Sequence, residues 1–347
     1  MHSASSKSAF DYSEEFAHVL ALIEDAQSIA LSGHTSPDGD ALGSVLGLGL
    51  AIQKRYPEKQ VAFLLADDAP VPRIYRFLAG SDSLVPACRY TDTPDLFISV
   101  DCPVLDRLAD AAEVAKRAHT SVCFDHHPAR TEFADVVVRC VGAAAVAVLI
   151  GTFLAELQFD ISPEIGTCLL CGIVTDTGRF QYQNANADAF YVASYLVGCG
   201  ADPAQIALEV YQSQRLEYLR LESLVMGRIR TAAHGRVAYS YARAEDLESL
   251  GVTPDECDGL VDVVRAVMGV EVCLFLKDVP GEPLVRGNLR SKGALDVSDI
   301  AAQFGGGGHA AAAGFTYRGT VEDTLEAILP MLVALVGEDP TGVHASL

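Results

Sequence analysis

Ser121-Val122-Cys123-Phe124-Asp125-His126-His127-Pro128 runs a short apolar segment straight into an acid and two imidazoles. Its first four residues suit a strand buried on both faces. The Asp-His-His that follows has few structural uses, and carboxylate beside imidazole suits a first-row divalent cation. The same arrangement occurs twice upstream. Ser28 to Ser32 (SIALS) leads into His34-Thr35-Ser36-Pro37-Asp38-Gly39-Asp40, and Leu96 to Val100 (LFISV) leads into Asp101. Gln60 to Leu65 is also strand-like, while Ala41 to Ile52 and Leu105 to Arg117 read as helices. This alternation predicts an α/β fold with a mostly parallel sheet flanked by helices. Ligands of such sheets bind beyond the carboxyl ends of the strands, where all three clusters fall.

Further along, Ala143 to about Arg230 reads as mainly helical, with Gln214 to Arg230 as one long connecting helix. A second strand-helix set follows. Val237–Tyr241, Val270–Leu276 and Leu284–Leu289 read as strands, and Asp296–Phe304 and Thr320–Val336 as helices. The expected organisation is therefore a first domain over 1–214, a linker helix over 215–232 and a smaller α/β domain over 233–347. The active site is expected in the cleft between the domains.

Composition narrows the function. The chain has 347 residues, half of them hydrophobic, which is enough for two cores. No apolar run approaches the roughly 20 residues that span a bilayer, and the start lacks the pattern of a secretory signal. The nine cysteines are odd in number and scattered through apolar strings, which suits reduced thiols in the cytoplasm. Cys168-Leu169-Leu170-Cys171 has no second pair and reads as two buried helix positions. A formal charge of −21 repels long duplex nucleic acid. A short nucleotide held on metal ions is compatible with it. A homodimer is the expected assembly, C₂ dimers being the commonest.

Each cluster has a structural alternative. Asp40 could cap the following helix, which would leave His34 and Asp38 unexplained. A lone Asp such as Asp101 at a strand end is common. Asp176, in Gly172-Ile173-Val174-Thr175-Asp176-Thr177-Gly178, could simply end a buried helix. Together His34, Asp38, Asp40, Asp101, His126 and Asp176 suffice for two cations sharing a carboxylate, typically about 3.5–4 Å apart. Such a pair activates water and clamps phosphoryl oxygens. Gly43, Gly47 and Gly49 lie inside a predicted helix, so they are packing residues rather than a dinucleotide fingerprint. Gly305-Gly306-Gly307-Gly308-His309 lacks the Lys-Ser/Thr of a Walker loop. It reads either as a linker or as a run that offers N–H groups to an anion. Arg290 offers a phosphate fork, and His309 a donor.

GHTSPDGDALGS (Gly33–Ser44), SVDCP (Ser99–Pro103), FDHHP (Phe124–Pro128) and GIVTDTGRF (Gly172–Phe180) resemble, in order and spacing, the motifs of the DHH phosphoesterases. Asn288-Leu289-Arg290-Ser291 and GGGGHAAAAGF (Gly305–Phe315) resemble the DHHA1 domain of that family. The likeness is greatest to the stand-alone group, which contains oligoribonucleases, pAp phosphatases and cyclic-dinucleotide phosphodiesterases. It implies His34, Asp38 and Asp101 on one metal, and Asp40, Asp101, His126 and Asp176 on the other, with Asp101 bridging. The metals implied are Mn²⁺, with Mg²⁺ or Co²⁺ as alternatives. The resemblance also implies catalytic roles for Asp101, Asp125 and His127, with Asp125 as a support and His127 facing the phosphate, and substrate binding by Arg290, Ser291, Gly306, Gly307, Gly308 and His309. The implied activity is hydrolysis of short nucleotides by hydroxide attack at phosphorus. Two other readings remain: a manganese inorganic pyrophosphatase, and a non-catalytic nucleotide sensor. The segment Val141-Gly142-Ala143-Ala144-Ala145-Val146-Ala147 replaces the family's usual hydroxyl-bearing helix start, and bears on substrate preference and turnover.

Overall fold

Apolar runs buried on both faces, Ser28–Ser32, Leu96–Val100 and Thr120–Asp125, form the centre of the first sheet. Its strands are β1 (Ser28–Ser32), β2 (Gln60–Leu65), β3 (Leu84–Pro86), β4 (Leu96–Val100), β5 (Thr120–Asp125) and β6 (Val136–Arg139). All pair in parallel, in the order β3-β2-β1-β4-β5-β6. The computed structural model describes residues 8–128, 132–257 and 259–337. The chain divides into two units, 1–213 and 214–347.

In the first unit, α1 (Ser13–Asp25), α2 (Gly39–Arg55), α4 (Val146–Glu156), α5 (Pro163–Asp176), α6 (Ala187–Gly198) and α7 (Pro203–Ile206) accompany α3 (Ala111–Arg117). Period-two alternation sends Ile29 and Leu31 into the larger core with Phe16, Leu46, Phe124 and Phe153. Ala30 and Phe97 face a smaller core with Leu108 and Val114. The strand order reverses between β1 and β4, the switch point where ligands of such sheets bind. Register aligns Ser32 with Ser99 and Val100 with Phe124, so β1, β4 and β5 end together there.

Two glycines on α2 set how closely it packs on α5. A Cβ on Gly43 would lie 2.2 Å from the Cys168 carbonyl oxygen, and one on Gly47 would lie 2.7 Å from Leu169. Cys168 and Cys171 are buried free thiols on α5. Capping falls to Asp38 rather than Asp40: the Asp38 carboxylate accepts from the Asp40 and Ala41 N–H groups at 3.0 Å. The expected helix from Leu105 to Arg117 is broken. A single 3₁₀ turn covers Leu105–Leu108, Ala109 takes φ +42°, and α3 starts at Ala111. The break lets the Asp110 N–H bond the Ala66 carbonyl beyond β2.

The second unit holds α8 (Leu216–Gly227), α9 (Ala244–Leu250), α10 (Leu260–Arg265), α11 (Ser298–Gln303) and α12 (Val321–Val336). Its sheet contains β7 (Arg230–Ala232), β8 (Val237–Ala242), β9 (Val272–Asp278), β10 (Leu284–Ser291), β11 (Gly307–His309) and β12 (Ala312–Arg318). The order is β11-β12-β10-β9-β8-β7, antiparallel except for β8 with β9. One face packs Val285 and Leu289 with Ile300, Ile328 and Leu332 of α11 and α12. The other packs Cys273 and Phe275 with Leu221 and Val225 of α8 and with α10. The expected connecting helix is thus shorter, and it packs into the second unit. It ends where the chain turns at Arg228, held by Asp246, to enter β7. Among the described residues no helix is long and apolar enough to cross a membrane.

Candidate metal centre

The ends of β1, β4 and β5 deliver three of the candidate groups, and two helices deliver the rest. His34 follows β1, and its Nδ1 lies 2.8 Å from the Thr35 carbonyl oxygen. With Nδ1–H so used, Nε2 faces Asp101 Oδ2 at 3.4 Å and Asp38 Oδ1 at 4.0 Å. His126 is built the same way. Its Nδ1 lies 3.1 Å from the Ala143 carbonyl oxygen, and Nε2 faces Asp101 Oδ1 (3.2 Å), Asp176 Oδ2 (3.4 Å) and Asp40 Oδ2 (3.9 Å). An imidazole anchored through one nitrogen and aimed with the other is the usual state of a metal ligand.

Asp40 is fully buried in the first turn of α2. The start of α4 holds it: the Val146 N–H donates to Oδ2 at 2.6 Å and the Ala147 N–H to Oδ1 at 3.0 Å. These are backbone groups, so the alanine-rich segment keeps Asp40 in place without any hydroxyl. Asp176 is the last residue of α5. Asn184 ties it to the same helix start, donating to the Asp176 and Ala144 carbonyl oxygens at 3.0 and 2.9 Å.

Asp101 sits between the two groups. It is 2% exposed and adopts φ +55°, a strained left-handed conformation for a residue other than glycine. His126 Nε2 and His127 Nδ1 approach its Oδ1 at 3.2 and 3.4 Å without meeting hydrogen-bond geometry. The oxygen is buried and has no hydrogen-bond partner among the described residues. A cation would satisfy it.

Charge crowding points the same way. Burial and the Asp101 charge raise the Asp40 carboxyl to about 8. Burial and Asp40 push Asp176 well above the usual carboxylate range. Burial alone would lower His34, but Asp101 and Asp38 outweigh it and raise the imidazole to about 9. Burial would lower His126 too, but Asp101 and Asp176 outweigh it and hold the imidazole well above its usual range. Burial also opposes ionisation of Asp101, yet its contacts with His126 and His34 hold it well below the usual range. Four carboxylates and two imidazoles in one small region cannot all keep their ordinary charge states, and divalent cations relieve that conflict. Within the first unit three triads have ligand atoms within 4.8 Å of one another: His34 with Asp38 and Asp101, Asp40 with His126 and Asp176, and Asp101 with Asp125 and His127. The donor set is oxygen and imidazole with no thiolate, which fits hard or borderline cations.

Asp125 and His127 stand to one side. His127 Nδ1 lies 3.0 Å from Asp125 Oδ1, and Arg139 Nε donates to Asp125 Oδ2 at 3.0 Å. Burial works against the Asp125 charge, but His127 and then Arg139 keep its carboxyl below the usual range. Neither Arg139 nor Asn184 is marked in the sequence by a motif. The one available signal for Arg139 is its position closing the apolar run Val136-Val137-Val138. Arg107, also outside the sequence expectations, places Nη2 3.2 Å from His34 Nδ1.

Of the expected substrate residues, the second unit's own sheet lines up two. Register sets Arg290 opposite Ala312, and Ala312 opposite His309, so the three side chains share one face. That face is opposite to the one on which Val285 and Leu289 enter the core. Arg290 Nε is buried with no hydrogen-bond partner among the described residues. Gly307, opposite Gly314 and then Asn288, leaves the same face low between them. Ser291 points the other way: it is buried and donates to the Leu295 carbonyl oxygen. The glycine run is not an open loop either, since Gly307–His309 forms edge strand β11. Gly306 and Gly308 answer to packing: a Cβ on them would lie 2.1 Å from the Gly314 carbonyl oxygen and 2.4 Å from that of Ala312.

Comparison with known proteins follows the same division. The family model described as the DHH family, N-terminal domain, matches residues 28–173, and the DHHA1 domain model matches 234–338. The bifunctional oligoribonuclease and PAP phosphatase NrnA of Thermus thermophilus is 31% identical over 319 residues, covering 90% of this chain and 92% of that protein. The Bacillus subtilis protein of the same name is 26% identical over 290 residues, covering 83% and 88%. A solved structure, an exopolyphosphatase-related protein from Bacteroides fragilis, shares the fold with a TM-score of 0.83. It covers 96% of this chain and 98% of its own, at 23% identity.

Proposed function

The chain belongs to the DHH family of phosphoesterases, with a DHHA1 domain following the DHH domain, and on that premise we propose that it hydrolyses phosphate esters of short nucleotides with two divalent metal ions bound. The observation that carries this reading is that the first two triads meet where His126 of one approaches Asp101 of the other at 3.2 Å, at a buried Asp101 Oδ1 with no hydrogen-bond partner among the described residues. His34, Asp38 and Asp101 would hold one ion, and Asp40, Asp101, His126 and Asp176 the other. Mn²⁺ is the proposed ion, with Mg²⁺ or Co²⁺ able to replace it. When bound, the ions supply an activated water and neutralise charge on the phosphoryl oxygens.

The chain's own residues do the remaining work. Asp101 bridges. Asp125 holds His127 through Nδ1, and His127 turns Nε2 toward the substrate, donating a proton to a phosphate oxygen in its charged form. In the second unit, Arg290 and His309 hold the remote end of the nucleotide, with Gly307 keeping the floor between them low. Gly306 and Gly308 contribute by shaping β11. A serving role for Ser291 is limited to fixing the end of β10. The NrnA relatives are named for oligoribonuclease and PAP phosphatase activities, and we propose substrates of those two kinds here. The DHHA1 match over 234–338 weighs against a pyrophosphatase. Backbone support of Asp40 by Val146 and Ala147 removes the main reason for reading the chain as a sensor. A cytoplasmic homodimer completes the proposal, and light scattering on the purified protein tests the assembly.

The test is a panel in Mn²⁺: pAp, pApA, short RNA, cyclic-di-AMP and pyrophosphate. Release of phosphate or mononucleotide from at least one nucleotide is expected, with little cleavage of pyrophosphate. Cleavage of pyrophosphate alone would contradict the proposal. So would tight nucleotide binding without product.

A further inference from the structure

Arg139 has a place in this centre that its neutralising charge alone does not explain. It closes β6, and parallel pairing sets it beside Asp125, the last residue of β5. The backbone there is fixed from two sides. The Cys140 N–H donates to the Asp125 carbonyl oxygen at 2.9 Å, and the Tyr12 hydroxyl donates to the Arg139 carbonyl oxygen at 2.6 Å. The side chain is 13% exposed and Asp125 is fully buried.

Arginine usually grips a carboxylate with two parallel N–H donors. Here only Nε donates to Asp125, through Oδ2, and Oδ1 is left to His127 Nδ1. Arg139 Nη2 is buried with no hydrogen-bond partner among the described residues. The carboxylate is therefore divided between two partners, one oxygen each. A guanidinium that served only to balance a buried charge would gain from taking both oxygens. Giving up the second bond keeps Asp125 turned so that Oδ1 addresses the imidazole. An Nδ1–H addressed to that oxygen would fix the imidazole in orientation.

We propose that Arg139 is a positioning residue for His127, acting through Asp125. The inference rests on the proposed hydrolytic function. Arg139 bonds Asp125 and none of the six residues proposed to hold the metal ions, nor Arg290 or His309. Its removal should therefore lower kcat and leave KM and metal content in place. Loss of a supporting partner of this type costs about 10–100-fold in activity.

The experiment is a double-mutant cycle on Mn²⁺-loaded protein with the nucleotide that the wild type cleaves best. Arg139→Met is expected to lower kcat about 10–100-fold, with KM and bound Mn²⁺ unchanged. In a His127→Ala background the same substitution should cost little further, because the residue it positions is gone. An equal loss with and without His127 overturns the positioning role, as does an unchanged kcat. A wild type with no nucleotide hydrolysis overturns the function and the positioning with it. Should Arg139→Met not fold, histidine ¹⁵N spectra of the Mg²⁺-loaded wild type decide: a proton on His127 Nδ1 is expected, and an unprotonated Nδ1 overturns the proposal.

Discussion

Replacing Gly43 by alanine should damage the metal centre from a distance. The new Cβ would lie 2.2 Å from the carbonyl oxygen of Cys168 and 3.3 Å from the Gly172 nitrogen, both backbone atoms. An ordinary carbon-to-oxygen contact needs about 3.3 Å, so α2 and α5 must separate by about 1 Å. Asp40 lies three residues before Gly43 on α2, and Asp176 ends α5. The two are candidate ligands of one metal. Ligand distances tolerate about 0.2 Å, and a misplacement of about 1 Å in a catalytic constellation costs roughly 100-fold. Overpacking of a helix interface also costs about 1–3 kcal/mol of stability, or roughly 2–12 °C in Tm for a unit of this size. Calorimetric Mn²⁺ titration and a thermal melt separate the two effects. A folded Gly43→Ala protein should bind Mn²⁺ much more weakly than wild type. Gly198→Ala, where an added Cβ meets nothing within 4 Å, should behave as wild type. A folded Gly43→Ala protein with wild-type Mn²⁺ affinity and turnover would refute the geometric link between the helices and the centre.

Three further outcomes are expected. Asp40 and His34, raised to about 8 and about 9, must give up protons to bind a cation. Mn²⁺ affinity should therefore rise with pH up to that range and fall below it. Titrations at pH 7 in buffers of different ionisation enthalpy should show proton release, and none would contradict the charge-crowding account. Arg290→Ala should mainly raise KM, and an unchanged KM would remove Arg290 from the substrate face. Asn184→Ala loses two hydrogen bonds to backbone carbonyls, each worth about 0.5–1.5 kcal/mol. It should lower Tm by a few degrees and weaken Mn²⁺ binding, whereas an unchanged melt would show that Asn184 does not hold the helix ends together.

Much of the first sheet was legible because strands buried on both faces are continuous apolar runs. Ser28–Ser32, Gln60–Leu65 and Leu96–Val100 are the observed β1, β2 and β4. The edge strands β3 and β6 were not, since three or four residues carry too little pattern. Helix α1 did carry one: buried Phe16, Val19 and Ile23 follow helical spacing. The polar clusters were visible as residue types, but their geometry was not. Proximity in sequence could not tell that Asp38 caps α2 while Asp40 turns inward to the start of α4. Arg139 was invisible for a similar reason, because its partner is set by strand register fourteen residues away. Alternation along β10 could have separated Ser291 from Arg290, which point to opposite faces of the sheet. The altered Ala143–Ala147 segment put substrate preference and turnover in question. In the structure its contribution comes from main-chain N–H groups that any sequence at this helix start would supply.

Counting metal ions against turnover tests the central claim most directly. Wild-type protein titrated with Mn²⁺ should bind two ions per chain, and nucleotide hydrolysis should appear as they load and vanish with chelator. Asp101→Asn should bind fewer than two and show no turnover, although it folds. Full hydrolysis by the chelated wild type, or substantial residual activity in Asp101→Asn, would contradict a two-metal centre bridged by Asp101.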